Sequence, residues 1–253
     1  MRIFPALFAG LLLLASAAAP SPAQAARKQL SVQQQYELGL KYLKRGYYVK
    51  ALEQFNRIRN YHRDDPYAVK AELAIADVQY KKNEWDQARL AYQDFMRLHP
   101  RHPDLDYVVF RIGASLYKKA PRIAGRDQTF TRQAVNAWVG FDSRFPDSEY
   151  RDEVTEQLAV GRDRLARKEL QIARFYERRA AWKAVEGRAR GLLETWPDTP
   201  YAVESLALLA EAHAWQGEDA EATAVLERLK AEDAEAATRA AERVARAEPE
   251  DGA

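Results

Sequence analysis

The 253-residue sequence contains no cysteine. That excludes a disulfide framework, a thiol nucleophile and any thiolate-bound metal centre, whatever compartment the chain reaches. Net charge is nearly absent as well. At a formal +2, the overall balance gives no support for nucleic-acid binding through polyanion attraction. The four histidines are scattered: His62 ends a helical run, His213 sits in another, and His99 and His102 are separated by Pro100, so no pair is placed like metal ligands. No nucleophile and base stand together in a recognisable motif. Neither an enzyme nor a bound cofactor or metal is expected.

What recurs is a turn. Gly46-Tyr47-Tyr48-Val49-Lys50-Ala51 returns as Asn83-Glu84-Trp85-Asp86-Gln87-Ala88 and as Gly217-Glu218-Asp219-Ala220-Glu221-Ala222, each time after an apolar helical run. Every copy has a helix with a small residue near its middle, a tight turn and a second helix opening five residues before a fixed alanine, and a proline stop follows in the first two. This is the two-helix unit of a tetratricopeptide repeat. Aligned on the alanine, Leu38, Gly39, Tyr42, Ala51 and Phe55 take the consensus positions of the first repeat. Ile75, Ala76, Ala88, Tyr92, Phe95 and Pro100 take them in the second, and Leu209, Ala210, Ala222 and Leu226 in the last. The small residues let neighbouring helices approach, and the aromatics fill the wedge between helix pairs. The expectation is an all-α fold, a superhelix (solenoid) of about five helix-turn-helix repeats, with no strand pattern.

The repeats are expected at residues 31–66, 67–104, 105–149, 150–200 and 201–230. Ser31 is placed to cap a first helix running to about Lys44, with its partner from Tyr48 to Tyr61. In the third repeat the first helix ends near Lys119, and Ala120 to Thr129 reads as an inserted loop around Pro121 and Gly125, before a helix from about Thr131 to Phe145. An insertion of this kind maps to one face of a solenoid, often a partner face. Arg151 to Arg179 carries no helix stop apart from Gly161 and reads as one long helix, kinked there. The fixed alanine is read as Ala134 in the third repeat and Ala184 in the fourth.

The two ends differ from the array. Arg2, the apolar stretch Ile3 to Ala19 and Ala23-Gln24-Ala25 form the n-region, h-region and cleavage site of a secretory signal at residues 1–25. Residues 231–253 are alanine-rich and charged, with few large apolar groups, and are expected to be a frayed helix with a disordered tip.

The junctions narrow the reading. Arg97-Leu98-His99-Pro100-Arg101-His102-Pro103-Asp104-Leu105-Asp106-Tyr107-Val108 resembles the second-to-third repeat junction of the BamD family, the helical-repeat subunit of the bacterial outer-membrane β-barrel assembly machine. Arg164 to Tyr176 resembles it too, as does Arg179-Ala180-Ala181-Trp182-Lys183-Ala184-Val185 with Trp196-Pro197-Asp198-Thr199 downstream, so that the likeness covers about residues 31–230. The resemblance implies a periplasmic, non-enzymatic scaffold on the inner face of the outer membrane. Its implied partners are the periplasmic domains of a BamA-type barrel insertase, unfolded outer-membrane proteins and further assembly lipoproteins. The family usually carries a lipid-bearing cysteine after the signal, and Ala25-Ala26-Arg27 stands there instead, so peripheral docking through a protein partner is expected. The rival reading is a periplasmic adaptor for cell-wall or envelope-division enzymes, which use the same repeats.

Helical spacing assigns candidate residues. The first helices of the N-terminal repeats place Tyr36, Leu40, Leu73, Asp77, Tyr80, Tyr107, Phe110 and Tyr117 along a groove. Aromatics with a few polar groups suit an extended, β-prone peptide with a terminal aromatic, as the family's substrates are; the competing reading is packing between repeats. Residues 167–190 are predominantly basic, and Arg174, Arg178, Trp182, Lys183 and Arg188 form the candidate partner dock. Against it stands a solvated helix face with local pairs such as Arg174 with Glu177 or Lys183 with Glu186.

Overall fold

The computed structural model describes residues 30–247; the expected signal sequence and the last six residues lie outside the described residues. Helices α1 (Val32–Lys44) and α2 (Tyr48–Tyr61) form the first pair, and α3 (Pro66–Lys81) and α4 (Trp85–Leu98) the second. The third comprises α5 (Leu105–Lys119), α6 (Thr129–Trp138) and the single turn α7 (Phe141–Arg144). The fourth is α8 (Arg151–Glu177) with α9 (Trp182–Thr195), the fifth α10 (Ala202–Trp215) with α11 (Asp219–Glu232), and α12 (Ala234–Val244) closes the array. Each helix packs chiefly on its neighbours in sequence, so the described residues form a one-dimensional stack of helix pairs.

Four of the five hairpins are built the same way. Gly46, Asn83, Ala180 and Gly217 all have positive φ, between 54° and 76°, and each stands two residues before its second helix. The following backbone N–H reaches back five residues, Tyr47 to Tyr42, Glu84 to Gln79, Ala181 to Tyr176 and Glu218 to His213, at 2.9–3.1 Å. This left-handed closure satisfies carbonyls that a helix end otherwise leaves open. Three residues into each second helix, Ala51, Ala88, Val185 and Ala222 are at most 1% exposed. The fourth repeat therefore uses Val185 at this position, and the expected Ala184 is displaced by one residue onto a half-buried face.

The structure departs from expectation in two further places and explains a glycine in a third. The second helix of the third repeat begins at Thr129 and breaks after Trp138, because Gly140 adopts φ +72° and lets Trp138 and Phe141 both bury, the Trp138 indole donating to the Phe110 carbonyl at 3.2 Å. Arg151–Glu177 is one long helix, as expected, and Gly161 within it marks a close approach: a β-carbon there would lie 2.7 Å from Val135 Cγ2. Residues 234–244 are an ordered helix, not a frayed one. Asp233 caps it, Ala236, Ala237 and Ala240 are buried, and Arg243 bridges Glu211 at 3.3 Å. Small side chains allow α12 to lie close on α10 and α11 without large apolar groups.

Candidate functional site

The N-terminal candidates fall into distinct environments. Asp77, on α3, is the hub of one. Its Oδ1 accepts two tyrosine hydroxyls, Tyr92 from α4 and Tyr107 from α5, each at 2.6 Å. Burial holds the Asp77 carboxyl above the usual range, opposed by the Tyr107 and Tyr92 hydrogen bonds and by Arg111. The same burial, with Asp77 alongside, pushes both phenols up. The Arg111 guanidinium lies 4.7 Å from the Tyr80 ring centre and 5.0 Å from those of Tyr107 and Phe110. Cation–aromatic stacking of this kind rigidifies the wall that the tyrosines form.

Beside this hub lies an open groove of about 520 Å3, lined by Leu73, Asp77, Pro103, Tyr107 and Tyr150, with Asp104, Asp106 and Glu149 on its sides. Tyr150, just before α8, stacks face to face on Phe110 at 4.9 Å and donates to Glu149 at 2.7 Å. Burial first and the Glu149 carboxylate second raise its phenol to about 12. Four of the eight lining residues are carboxylates and two are tyrosines, so the groove is predominantly acidic with aromatic faces, which favours a ligand carrying positive charge beside an aromatic or aliphatic group.

The expected set is only partly gathered there. Leu73, Asp77 and Tyr107 line the groove, while Phe110 and Tyr80 support its wall from behind. Tyr36 packs between Phe55 and Tyr67, where Asp77 and Asp104 help to raise its phenol after burial does. Leu40 is exposed on α1, away from the lining residues. Tyr117 belongs elsewhere: it packs on Trp138 and accepts from Arg164 at 3.1 Å. Spacing along one helix missed Tyr92, Arg111 and Tyr150, which arrive from other faces and elements.

The basic candidates are also divided. Arg174 pairs with Glu204 of α10, and Arg188 with Glu169 at 3.2 Å, so these two tie helices together. Trp182 is stacked on Trp215, 5.2 Å apart with planes 3° from parallel. The local pairs of the competing reading do not form, although a local pair of another kind does: Glu177 faces Arg243 at 3.8 Å and Glu186 holds Arg190, four residues on, at 2.6 Å. Arg178 and Lys183 are exposed and have no ion-pair partner among the described residues. Next to them Arg179 covers the ring of Phe175 at 3.6 Å, and Phe175 remains 41% exposed. The part of the patch without ion pairs is therefore Phe175, Arg178, Arg179 and Lys183, while Arg174 and Arg188 are paired but still about half exposed.

Among the described residues no group of three histidine, aspartate or glutamate side chains could hold a metal ion, and no helix is long and apolar enough to cross a membrane. Residues 28–229 match the family model YfiO, described as outer membrane lipoprotein. Curated relatives include the outer membrane protein assembly factor BamD of Haemophilus influenzae, 30% identical over 199 residues, covering 75% of this chain and 76% of that one. BamD of Neisseria gonorrhoeae is 30% identical over 175 residues, 66% of each chain. Among solved structures, the TPR2AB-domain:pHSP90-complex of yeast Sti1 covers 85% of this chain at a TM-score of 0.41 and 13% identity. The repeat architecture accordingly rests on the helix pairs and turns themselves.

Proposed function

The chain belongs to the BamD (YfiO) family, non-enzymatic outer membrane protein assembly factors of the β-barrel assembly complex, and from that premise we propose that it is a two-site periplasmic scaffold. The N-terminal groove receives extended segments of unfolded outer-membrane proteins. The accessible C-terminal patch of Phe175, Arg178, Arg179 and Lys183, backed by Arg174, Trp182 and Arg188, docks on the periplasmic domains of a BamA-type insertase. Further assembly lipoproteins complete the complex. Export by the sequence at residues 1–25 would deliver the chain to the inner face of the outer membrane.

The observation that carries this reading is the groove around Tyr107 and Tyr150. It is open, lined by two tyrosines and four carboxylates, and its Tyr107 wall is fixed by the hydrogen bond to Asp77, so a bound peptide meets a preformed surface. Its acidic edge adds a selection: a segment with lysine or arginine beside its aromatic residue is favoured over one with acidic neighbours.

Tyr150 gives the cleanest test, since it lines the groove without bonding to Asp77. Tyr150→Ala is expected to weaken binding of a fluorescent peptide from a barrel strand about tenfold, measured by anisotropy, with the circular dichroism spectrum unchanged. Undiminished affinity in the folded variant would remove the groove from substrate capture.

A further inference from the structure

We infer that the loop joining α5 to α6 is a contact for an anionic phospholipid surface, separate from both the groove and the C-terminal patch. The loop is firmly built. The buried Gln128 amide donates to the carbonyl of Ile123 at 2.8 Å, with those of Arg126 and Pro121 at 3.4 and 3.5 Å, and Gln128 accepts the Thr131 hydroxyl at 2.5 Å. Helix α8 braces the loop from below: Arg164 donates to the Pro121 carbonyl at 3.2 Å and Lys168 to that of Arg126 at 3.3 Å.

What this frame turns outward is unexpected. Ala124 is 6% exposed while the adjacent Ile123 is 63% exposed. Burying an isoleucine is worth more than burying an alanine, so folding alone does not account for the choice. Beside Ile123 stand Arg122, next in the chain, and Arg126, whose backbone N–H donates to the Ile123 carbonyl at 3.1 Å; both are exposed and have no ion-pair partner among the described residues, as is true of Lys118 at the end of α5 and Arg167 on α8. The neighbouring acids are engaged: Asp86 holds Lys119 at 2.6 Å, and Asp127 accepts from the Thr129 backbone and hydroxyl.

An aliphatic side chain within a collar of unpaired cations matches the interfacial layer of a membrane. The apolar group enters below the headgroups, and the long basic side chains lay their stems along it with their charges among the phosphates. A protein hot spot instead centres on aromatic or arginine anchors seated in desolvated pockets, which this loop does not offer. A single aliphatic residue with a few charges binds weakly and reversibly. It would orient a protein that other contacts have already brought to the membrane.

The test is flotation of the chain without residues 1–25, the expected signal sequence whose apolar stretch would bind vesicles by itself, with vesicles of phosphatidylethanolamine and phosphatidylglycerol, against vesicles of phosphatidylcholine alone. The chain is expected to float with the anionic vesicles only, and less as salt rises. Ile123→Ser and the pair Arg122→Glu with Arg126→Glu should each lower the bound fraction, the charge reversal by at least about tenfold. These side chains are exposed, and circular dichroism checks that the variants fold. No flotation with anionic vesicles, equal flotation with neutral ones, or unchanged flotation of both variants would overturn the inference. So would variants that still float but lose an acidic protein partner, since the loop would then be a protein contact.

Discussion

Asp77 shows how one residue can serve both packing and recognition. It gathers the Tyr92 and Tyr107 hydroxyls on one oxygen, and in doing so fixes the ring that walls the groove. Truncation to alanine leaves two hydroxyls without their acceptor, one of them on a fully buried ring, and is expected to cost about 3 kcal/mol. Asparagine keeps a carbonyl acceptor and should cost far less. The pH dependence separates the two states of the carboxyl. Burial raises its pKa in the folded protein above the ordinary value of 3.8, so on descending from neutral pH the native state takes up a proton before the unfolded chain does. Its contribution is therefore most favourable below the ordinary value and is lost as pH rises through the folded one. Relative to Asp77→Asn, the wild-type protein should gain stability between neutral pH and about pH 4, read from urea midpoints across that range. Parallel profiles for the two proteins would mean that Asp77 titrates normally.

At the scale of the element, the repeated hairpin turn sets the register. Gly46 and Gly217 carry left-handed backbone freely and Asn83 tolerates it, but Ala180 does so at φ 54° with a β-carbon in the way. Ala180→Gly is expected to raise stability by about 1 kcal/mol, seen as a higher urea midpoint with an unchanged slope. A lower midpoint would show that this turn is not strained. The same residue hides the turn from the sequence. Glycine and asparagine announce three of the turns in the sequence; alanine announces nothing, and the fourth repeat was consequently aligned on Ala184 when Val185 is the buried residue. The insertion after Lys119 was legible from Pro121 and Gly125, whereas the break at Gly140 depends on burying Trp138 and Phe141 together, which no local pattern states. Alanine-rich α12 is hidden for a related reason, because small residues signal both weak burial and close helix contact. In the site, Leu73, Asp77 and Tyr107 followed from helical spacing; Tyr92, Arg111 and Tyr150 depend on how successive repeats stack, which spacing along one helix does not contain.

Across the whole molecule, the two candidate surfaces are separated by the length of α8: the groove is formed by α3, α5 and the residues just before α8, the basic patch lies at the far end of α8 where it meets α9. A stack in which each helix pair touches only its neighbours holds them apart on one scaffold. A peptide captured at the first surface is thereby kept at raised local concentration near whatever holds the second. The patch is the less specific of the two on present geometry, since Arg174 and Arg188 spend their charge within the fold and leave Arg178, Arg179 and Lys183 to a partner. Docking at such a rim should weaken with ionic strength, as exposed charges are screened over about 10 Å at 0.1 M salt. The most direct measurement is calorimetric titration of the purified protein with the periplasmic domains of its own BamA-type insertase at low and high salt. Saturable binding that weakens as salt rises and drops with Arg179→Glu is the predicted result; no binding at either salt, with the protein folded by circular dichroism, would contradict the account.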